Sequence, residues 1–268
     1  MSLATTRVGA DTASRHLVML HGIYGRGRNW QTIAKAVVSA RPEYACWLVD
    51  LPRHGDSGAG AHGDGVRGFA ADIDDWLRNQ GPTPDVLLGH SFGGKVALAM
   101  AEHRRSEPLQ VWVIDSTPET KAAGGSAWQM LELVRSLPET FPSRESATDA
   151  IAAGGYSRGV AVWMSTNLIR ESDHFVWRLD FDVMDQLLHN FFTTDLWSVV
   201  TDRAPGHDLH FLRASTSSAM SDAAALRVES LADVHVHLHR REGTHWIHSE
   251  SPQVVIDLLL AHLPLTPG

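Results

Sequence analysis

Short apolar runs alternate with amphipathic segments along the first 118 residues of the chain. The runs have the length of buried strands, and the segments between them carry apolar residues at helical spacing. The predicted strands cover residues 5–8, 16–20, 45–50, 86–88 and 109–114. The predicted helices cover residues 30–40, 66–79 and 95–105. This alternation is typical of an α/β protein with a doubly wound, mostly parallel sheet.

The pattern changes between residues 119 and 204, where we find no clear buried strand. Helical patterns there cover residues 127–137, 143–153, 157–169 and 183–192. Strand patterns return at 209–213 and 234–239, followed by a helical pattern at 253–262. We therefore expect residues 1–118 and 205–268 to form the α/β core, with residues 119–204 as an inserted helical lid.

Composition limits the classes of function and the compartment. The 268 residues carry a formal net charge of −8, which argues against nucleic acid as a main partner. A single cysteine excludes an internal disulfide and fits a reducing compartment. No apolar run approaches the length of a transmembrane helix, and no signal-peptide core begins the chain. We expect a cytoplasmic protein whose partner is a small molecule, with no membrane span.

The pentapeptide Gly89-His90-Ser91-Phe92-Gly93 lies between a predicted strand and a predicted helix. In this context a G-x-S-x-G sequence indicates a sharp turn that exposes a nucleophilic serine. Glycines flank the serine because a Cβ at either position would collide with the neighbouring strand or helix. The turn also puts the Ser91 hydroxyl near a helix N-terminus, which favours developing negative charge.

A second strand ends in His21-Gly22 and a small loop. The backbone N–H of Ile23 could point to the same place as the N–H of Phe92. Two such donors on one oxygen would make an oxyanion hole.

Three histidines alternate in the strand pattern at 234–239, namely His235, His237 and His239. Alternation puts them on one face of a strand. No aspartate or cysteine lies nearby at ligand spacing, so we expect a half-exposed edge strand and no metal site.

These pieces resemble the α/β-hydrolase superfamily in kind and in order. They are the His21-Gly22 loop, the loop at 50–57, the Ser91 turn, the helical insert and Gly243-Thr244-His245. The sequences around Ser91 and His245 are similar to those of a small esterase and thioesterase branch related to bacterial carboxylesterases. The resemblance implies Ser91 as the nucleophile and His245 as the general base.

The acid of the triad has two candidates. Most of the superfamily places it after the strand that follows the lid, but the turn there holds no carboxylate before Asp222. The branch that this chain resembles uses an aspartate after the strand that follows the nucleophile helix, which is the position of Asp115. We predict Asp115 as the acid, with Ser217 hydrogen-bonding its carboxylate, and Asp222 as the alternative.

The resemblance implies a cofactor-free serine hydrolase that cleaves carboxylic esters or thioesters through an acyl-enzyme. Alternatives on the same triad are a cofactor-free perhydrolase, a lyase or a carbon–carbon hydrolase. A ligand-sensing receptor with little turnover is an alternative of a different class. We expect Lys95 to be a supporting or surface cation rather than a base. The predicted lining of the substrate pocket is Tyr24, Trp128, Trp163, Phe191 and Trp246.

Overall fold

The computed structural model describes residues 3–265, and within them the chain forms ten strands, eleven α-helices and one 3-10 helix at Gly27–Trp30. The strands are β1 (Thr5–Val8), β2 (Arg15–Leu20), β3 (Tyr44–Val49), β4 (Val86–His90), β5 (Leu109–Ile114), β6 (Thr140–Phe141), β7 (Leu168–Glu171), β8 (His174–Trp177), β9 (His207–Ala214) and β10 (Val236–Arg241). The helices are α1 (Gln31–Ala40), α2 (Val66–Asn79), α3 (Phe92–His103), α4 (Ser126–Ser136), α5 (Arg144–Ala153), α6 (Arg158–Ser165), α7 (Phe181–Thr193), α8 (Trp197–Thr201), α9 (Asp222–Ser230), α10 (Ile247–Glu250) and α11 (Pro252–His262).

A seven-stranded sheet in the order β1-β3-β2-β4-β5-β9-β10 forms the centre of the molecule. Every pair in it is parallel except β1 with β3. Strands β4 and β5 are buried along their whole length, as expected where helices cover both faces of a parallel sheet. The predicted doubly wound, mostly parallel α/β fold is confirmed.

The strand order reverses between β2 and β4. The chain moves from β2 to β3 on one side and then returns to place β4 on the other side of β2. In open α/β sheets, ligands bind beyond the carboxyl ends of the strands at such a reversal. The loop with Ile23 follows β2 and Ser91 follows β4, so both lie at this position.

Two apolar layers hold the helices on the sheet. Helices α1 and α11 pack on one face around Trp30, Trp112 and Leu259. Helices α2 and α3 pack on the other face around Phe69 and Phe92, and this second layer continues into the helices between β5 and β9. The layer of α1 and α11 is separate from the inserted segment, whereas the layer of α2 and α3 joins that segment to the sheet.

The chain between the neighbouring strands β5 and β9 contains five helices, α4 to α8, and a small antiparallel sheet in the order β6-β8-β7. Helices α4, α5 and α7 lie close to the patterns at 127–137, 143–153 and 183–192. The pattern at 157–169 is wrong in its second part, because α6 ends at Ser165 and the chain continues as β7. The hairpin of β7 and β8 is short and only partly buried, so it shows no apolar run in the sequence.

Among the helices within residues 3–265, none has both the length and the apolar character that crossing a bilayer requires.

Candidate active site

Ser91 lies in a strained turn between β4 and α3. Its backbone has φ 52° and ψ −117°, a conformation that costs a non-glycine residue about 1–3 kcal/mol. The two flanking glycines are sterically required: a Cβ on Gly89 would lie 2.0 Å from the carbonyl oxygen of Gly93, and one on Gly93 would lie 2.2 Å from that of His21. The turn is therefore possible only with this spacing of glycines.

His245 lies in the loop after β10 and contacts Ser91 directly. Its Nε2 atom is 3.0 Å from the Ser91 Oγ atom. The Nε2–H of His90 donates to the carbonyl oxygen of His245 at 2.7 Å, which ties the loop to the end of β4. Burial holds the pKa of His90 well below its ordinary value, so this second ring is neutral.

Asp115 follows β5 and is completely buried beside His245. Its Oδ2 atom is 2.7 Å from the His245 Nδ1 atom and also accepts the hydroxyl proton of Ser217. Its Oδ1 atom accepts the backbone N–H of Ala214 at 2.9 Å. Three donors thus compensate the buried carboxylate and fix its orientation.

The structure does not bring Asp222 to this group. Asp222 begins α9, is exposed, and pairs with Arg213 at 2.5 Å. The carboxylate that contacts His245 is therefore that of Asp115, which follows β5, and not that of Asp222.

Two backbone N–H groups near Ser91 lack acceptors. Within residues 3–265, the N–H groups of Ile23 and Phe92 donate to no protein atom. The loop that carries Ile23 is held in place because the His21 Nε2 atom accepts the backbone N–H of Leu51 at 2.9 Å. These two donors are the ones predicted for the oxyanion hole.

A narrow, mostly apolar cavity opens at the Ser91 hydroxyl. It holds about 420 Å³ of atom-free space, counting its open mouth. Its lining comes from the turn of Ser91, from α7 and from the loops before α4 and after β9: Ser91, Phe92, Lys121, Gly124, Gly125, Ser126, Ala127, Leu188, Phe191, Phe192, Ser218, Ala219 and His245. A ligand that reaches Ser91 would contact the apolar face of α7.

Of the five residues predicted to line the pocket, Phe191 does so, and the prediction is wrong for the other four. Tyr24 is fully buried, and its hydroxyl donates to the carbonyl of Ala127, behind the cavity wall. Trp128 packs on Phe192 from outside, at 6.2 Å between ring centroids. Trp163 and Trp246 pack on each other at 4.6 Å. These rings form the core that supports the wall, where apolar residues most often lie.

Sequence reasoning missed several lining residues. Among them are Gly124, Gly125, Lys121 and Ser218. The Lys121 ammonium donates to the Ser218 carbonyl and so joins the start of the inserted segment to the loop after β9. No local pattern signals this contact, because the two residues are 97 positions apart.

Lys95 is buried on α3 rather than being a surface cation. Its Nζ atom donates to the carbonyls of Glu119 at 2.8 Å and Phe191 at 2.7 Å, and lies 4.7 Å from the centroid of the Phe191 ring. Burial lowers its pKa to about 7, although the carboxylates of Asp195 and Glu119 partly oppose this shift. Lys95 thus ties the helix after Ser91 to two parts of the inserted segment.

This lysine predicts a measurable pH dependence of stability. In the unfolded chain its pKa returns to about 10.5, so between pH 7 and 10.5 the unfolded state binds the additional proton. The free energy of unfolding should therefore rise with pH in that window, by at most about 1.4 kcal/mol per pH unit. Chemical denaturation at pH 7 and pH 9.5 should show this rise in the native protein and a smaller one in Lys95→Met.

The matched control is Lys35→Met, which removes an exposed lysine from α1. It should follow the pH dependence of the native protein. If the free energy of unfolding rose with pH as steeply in Lys95→Met as in the native protein, the lowered pKa of Lys95 would not be its cause.

The histidine strand differs from its prediction. Strand β10 begins at Val236, so His235 lies outside it and is exposed, while His237 and His239 share one face. The argument that no carboxylate lies nearby is wrong, because Asp208 of the adjacent strand β9 approaches His237 to 3.0 Å. Sequence spacing does not reveal a partner on another strand.

Comparisons with known proteins show the family of the chain. Residues 17–258 match the model of a family described as "Alpha/beta hydrolase family". The chain is 27% identical to the mouse "sn-1-specific diacylglycerol lipase ABHD11", over 98% of this chain and 85% of that protein.

Solved structures share the fold. A marine microorganism esterase superposes with a TM-score of 0.80 at 20% identity, covering 97% of this chain and 99% of that one. A thioesterase domain from the curacin biosynthetic pathway superposes with a TM-score of 0.70 at 17% identity, covering 96% and 95%.

The mostly parallel sheet and the position of the serine turn after β4 are those of an α/β hydrolase. The chain belongs to the alpha/beta hydrolase family. The predicted family and the predicted hydrolase class are both confirmed.

Proposed function

We propose that this protein cleaves carboxylic esters or thioesters through an acyl-enzyme intermediate. One observation carries the proposal: a continuous hydrogen-bonded path runs from Ser91 through His245 to the buried Asp115, and it begins at the floor of an apolar cavity. This is the arrangement that acyl-transfer chemistry requires, since a serine hydroxyl is a weak nucleophile until an adjacent base accepts its proton.

In the acylation step, the Ser91 Oγ atom attacks the carbonyl carbon of the ester and His245 Nε2 accepts the hydroxyl proton. Asp115 accepts a hydrogen bond from His245 Nδ1–H, which fixes the ring orientation and stabilises the imidazolium. The N–H groups of Ile23 and Phe92 are proposed to bind the oxyanion. His245 then returns the proton to the leaving alcohol or thiol, whose bond to the carbonyl carbon breaks.

In the deacylation step, the same histidine accepts a proton from water, and the resulting attack releases the acid and regenerates Ser91. All of these transfers use side chains and backbone groups of this chain. We therefore propose a reaction without an organic cofactor.

The walls of the cavity favour an uncharged substrate with an apolar acyl group. Leu188, Phe191 and Phe192 present hydrocarbon and aromatic surface beside Ser91. The mouse relative named as a diacylglycerol lipase acts, by that name, on an ester of this kind. A charged acyl chain would lose its hydration against these three side chains. The ammonium of Lys121, which also lines the cavity, already donates to the carbonyl of Ser218.

We further propose residues 119–204 as a lid over the core formed by residues 1–118 and 205–268. Helix α7 of this segment supplies much of the cavity wall. The Lys95 contacts to Glu119 and Phe191 would hold that wall against α3. Substitution of the α7 residues that line the cavity should thus alter the preference among substrates more than it alters the catalytic steps at Ser91.

A panel of acyl esters and acyl thioesters of graded chain length tests the function. We expect steady turnover that responds to acyl length, with the apolar acyl esters cleaved faster than esters of dicarboxylic acids. A single burst of product without turnover would instead favour a ligand-sensing receptor. Absence of both turnover and covalent labelling of Ser91 would overturn the proposal.

The cytoplasm is our proposed location. Its support is that the single cysteine of the chain, Cys46, is a buried free thiol. Fractionation of cells that express a tagged chain tests this, and recovery in a membrane or secreted fraction would contradict it.

A further inference from the structure

A second cluster of chemically active side chains lies at the other end of the sheet from Ser91. Asp208 and His210 lie in the first half of β9, and His237 lies opposite His210 in the register of β10. These three residues each offer a ligand atom, and the three atoms lie within 4.8 Å of one another. The cluster is not used in the proposed hydrolysis.

The two rings direct the same nitrogen to the same carboxylate. The Nε2 atom of His210 is 3.0 Å from Asp208 Oδ2, and the Nε2 atom of His237 is 3.0 Å from Asp208 Oδ1. The rings stack at 4.3 Å between centroids, so both approach from one side. Three donor atoms therefore point to one small volume between β9 and β10.

We propose that Asp208, His210 and His237 form a binding site for a divalent transition-metal ion of the Zn²⁺ class. Two imidazole nitrogens and one carboxylate oxygen are a donor set that suits Zn²⁺, Co²⁺ or Ni²⁺ and not the oxygen-seeking Mg²⁺ or Ca²⁺. On binding, the metal ion would replace the hydrogen bonds that now link the two rings to the carboxylate.

Neighbouring groups hold the ligands in place. The Nδ1 atom of His210 is 3.0 Å from the Nε2 atom of His239, and the ring of Trp112 stacks on His210 at 4.2 Å. Gln110 donates to the Asp208 carboxylate at 3.0 Å. Such outer contacts fix the ring orientation and the tautomer of a metal-binding histidine.

The three proposed ligands differ in solvent exposure, and two of them are open enough for an ion to enter from solution. The side chain of His210 is 1% exposed, whereas those of His237 and Asp208 are 29% and 31% exposed. An ion can therefore enter between the two outer ligands, and water can complete its coordination. Since the ligands come from β9 and the edge strand β10, a bound ion would fasten that edge to the sheet.

Titration of the full chain, freed of metal with a chelator, tests the proposal. Zn²⁺ affinity is measured by competition with a chromophoric chelator, and Co²⁺ is followed by its visible absorption. We expect one ion per chain for the native protein and at least a tenfold loss of affinity in Asp208→Asn and in His237→Gln. The matched control is His235→Gln, which removes the exposed histidine two positions before His237 and should bind as the native protein does.

Thermal unfolding supplies a second readout that does not depend on catalysis. Zn²⁺ should raise Tm for the native protein and for His235→Gln, and should not raise it for His237→Gln. Ester hydrolysis by metal-free His237→Gln should equal that of the native protein, which separates this proposal from the proposed function. Equal affinities in all variants, loss of binding only in His245→Gln, or Mg²⁺ binding as tight as Zn²⁺ would each overturn it.

Discussion

Replacing Ser91 with alanine is expected to lower kcat for an activated ester by about five to six orders of magnitude. The side chain supplies the atom that forms the proposed acyl-enzyme. Within residues 3–265, the hydroxyl that contacts His245 Nε2 is that of Ser91, at 3.0 Å. Removal of a nucleophilic serine leaves only the catalysis that comes from substrate binding and the oxyanion donors. The measurement is steady-state hydrolysis of a nitrophenyl ester, together with intact-mass detection of a fluorophosphonate adduct.

The matched control for this change is Ser126→Ala. Ser126 lines the same cavity, but the side-chain hydrogen bonds of His245 and Asp115 go to other groups. We expect near-native kcat and one adduct per chain in the control, and no adduct in Ser91→Ala. Retention of more than one per cent of the activity by purified Ser91→Ala would show that the nucleophile lies elsewhere.

The turn that carries Ser91 could be predicted because all of its determinants are local. Gly89 and Gly93 lie within two residues of the serine, and each is required by a backbone atom less than 3 Å from the position of a missing Cβ. The strand before the turn and the helix after it also follow from short patterns. A five-residue sequence in that setting therefore predicts both the conformation and its chemistry.

Predicting the partners of Ser91 required a family resemblance. Asp115 and His245 are 130 residues apart, and nothing in their immediate neighbourhoods shows that they meet. What joins them is the order of the strands, since β4, β5, β9 and β10 end at the same edge of the sheet. The resemblance supplied that order, and the order then indicated Asp115 rather than Asp222.

The cavity wall could not be predicted in the same way. Large aromatic residues of the insert are equally suited to a pocket and to the small core that supports it, and the packing of α7 against α3 decides between them. Phe191 faces the cavity, whereas Trp128 and Trp163 turn to the supporting core. The approach of Asp208 to His237 could not be predicted for a related reason, because it depends on the pairing of β9 with β10.

Replacing Asp115 with asparagine is the sharper test of the triad, with an expected loss of about 10⁴-fold in kcat. Asp115 Oδ1 accepts the N–H of Ala214, which fixes the side chain so that the new amide nitrogen occupies the Oδ2 position. That nitrogen donates to His245 Nδ1, which moves the ring proton to Nε2, where it blocks acceptance of the Ser91 proton. Binding of a substrate analogue should change little, so the loss falls on kcat rather than KM.

Asp222→Asn is the matched control and should keep native kcat, because Asp222 pairs with Arg213. The opposite result, with activity lost in Asp222→Asn and kept in Asp115→Asn, would move the acid to the loop after β9.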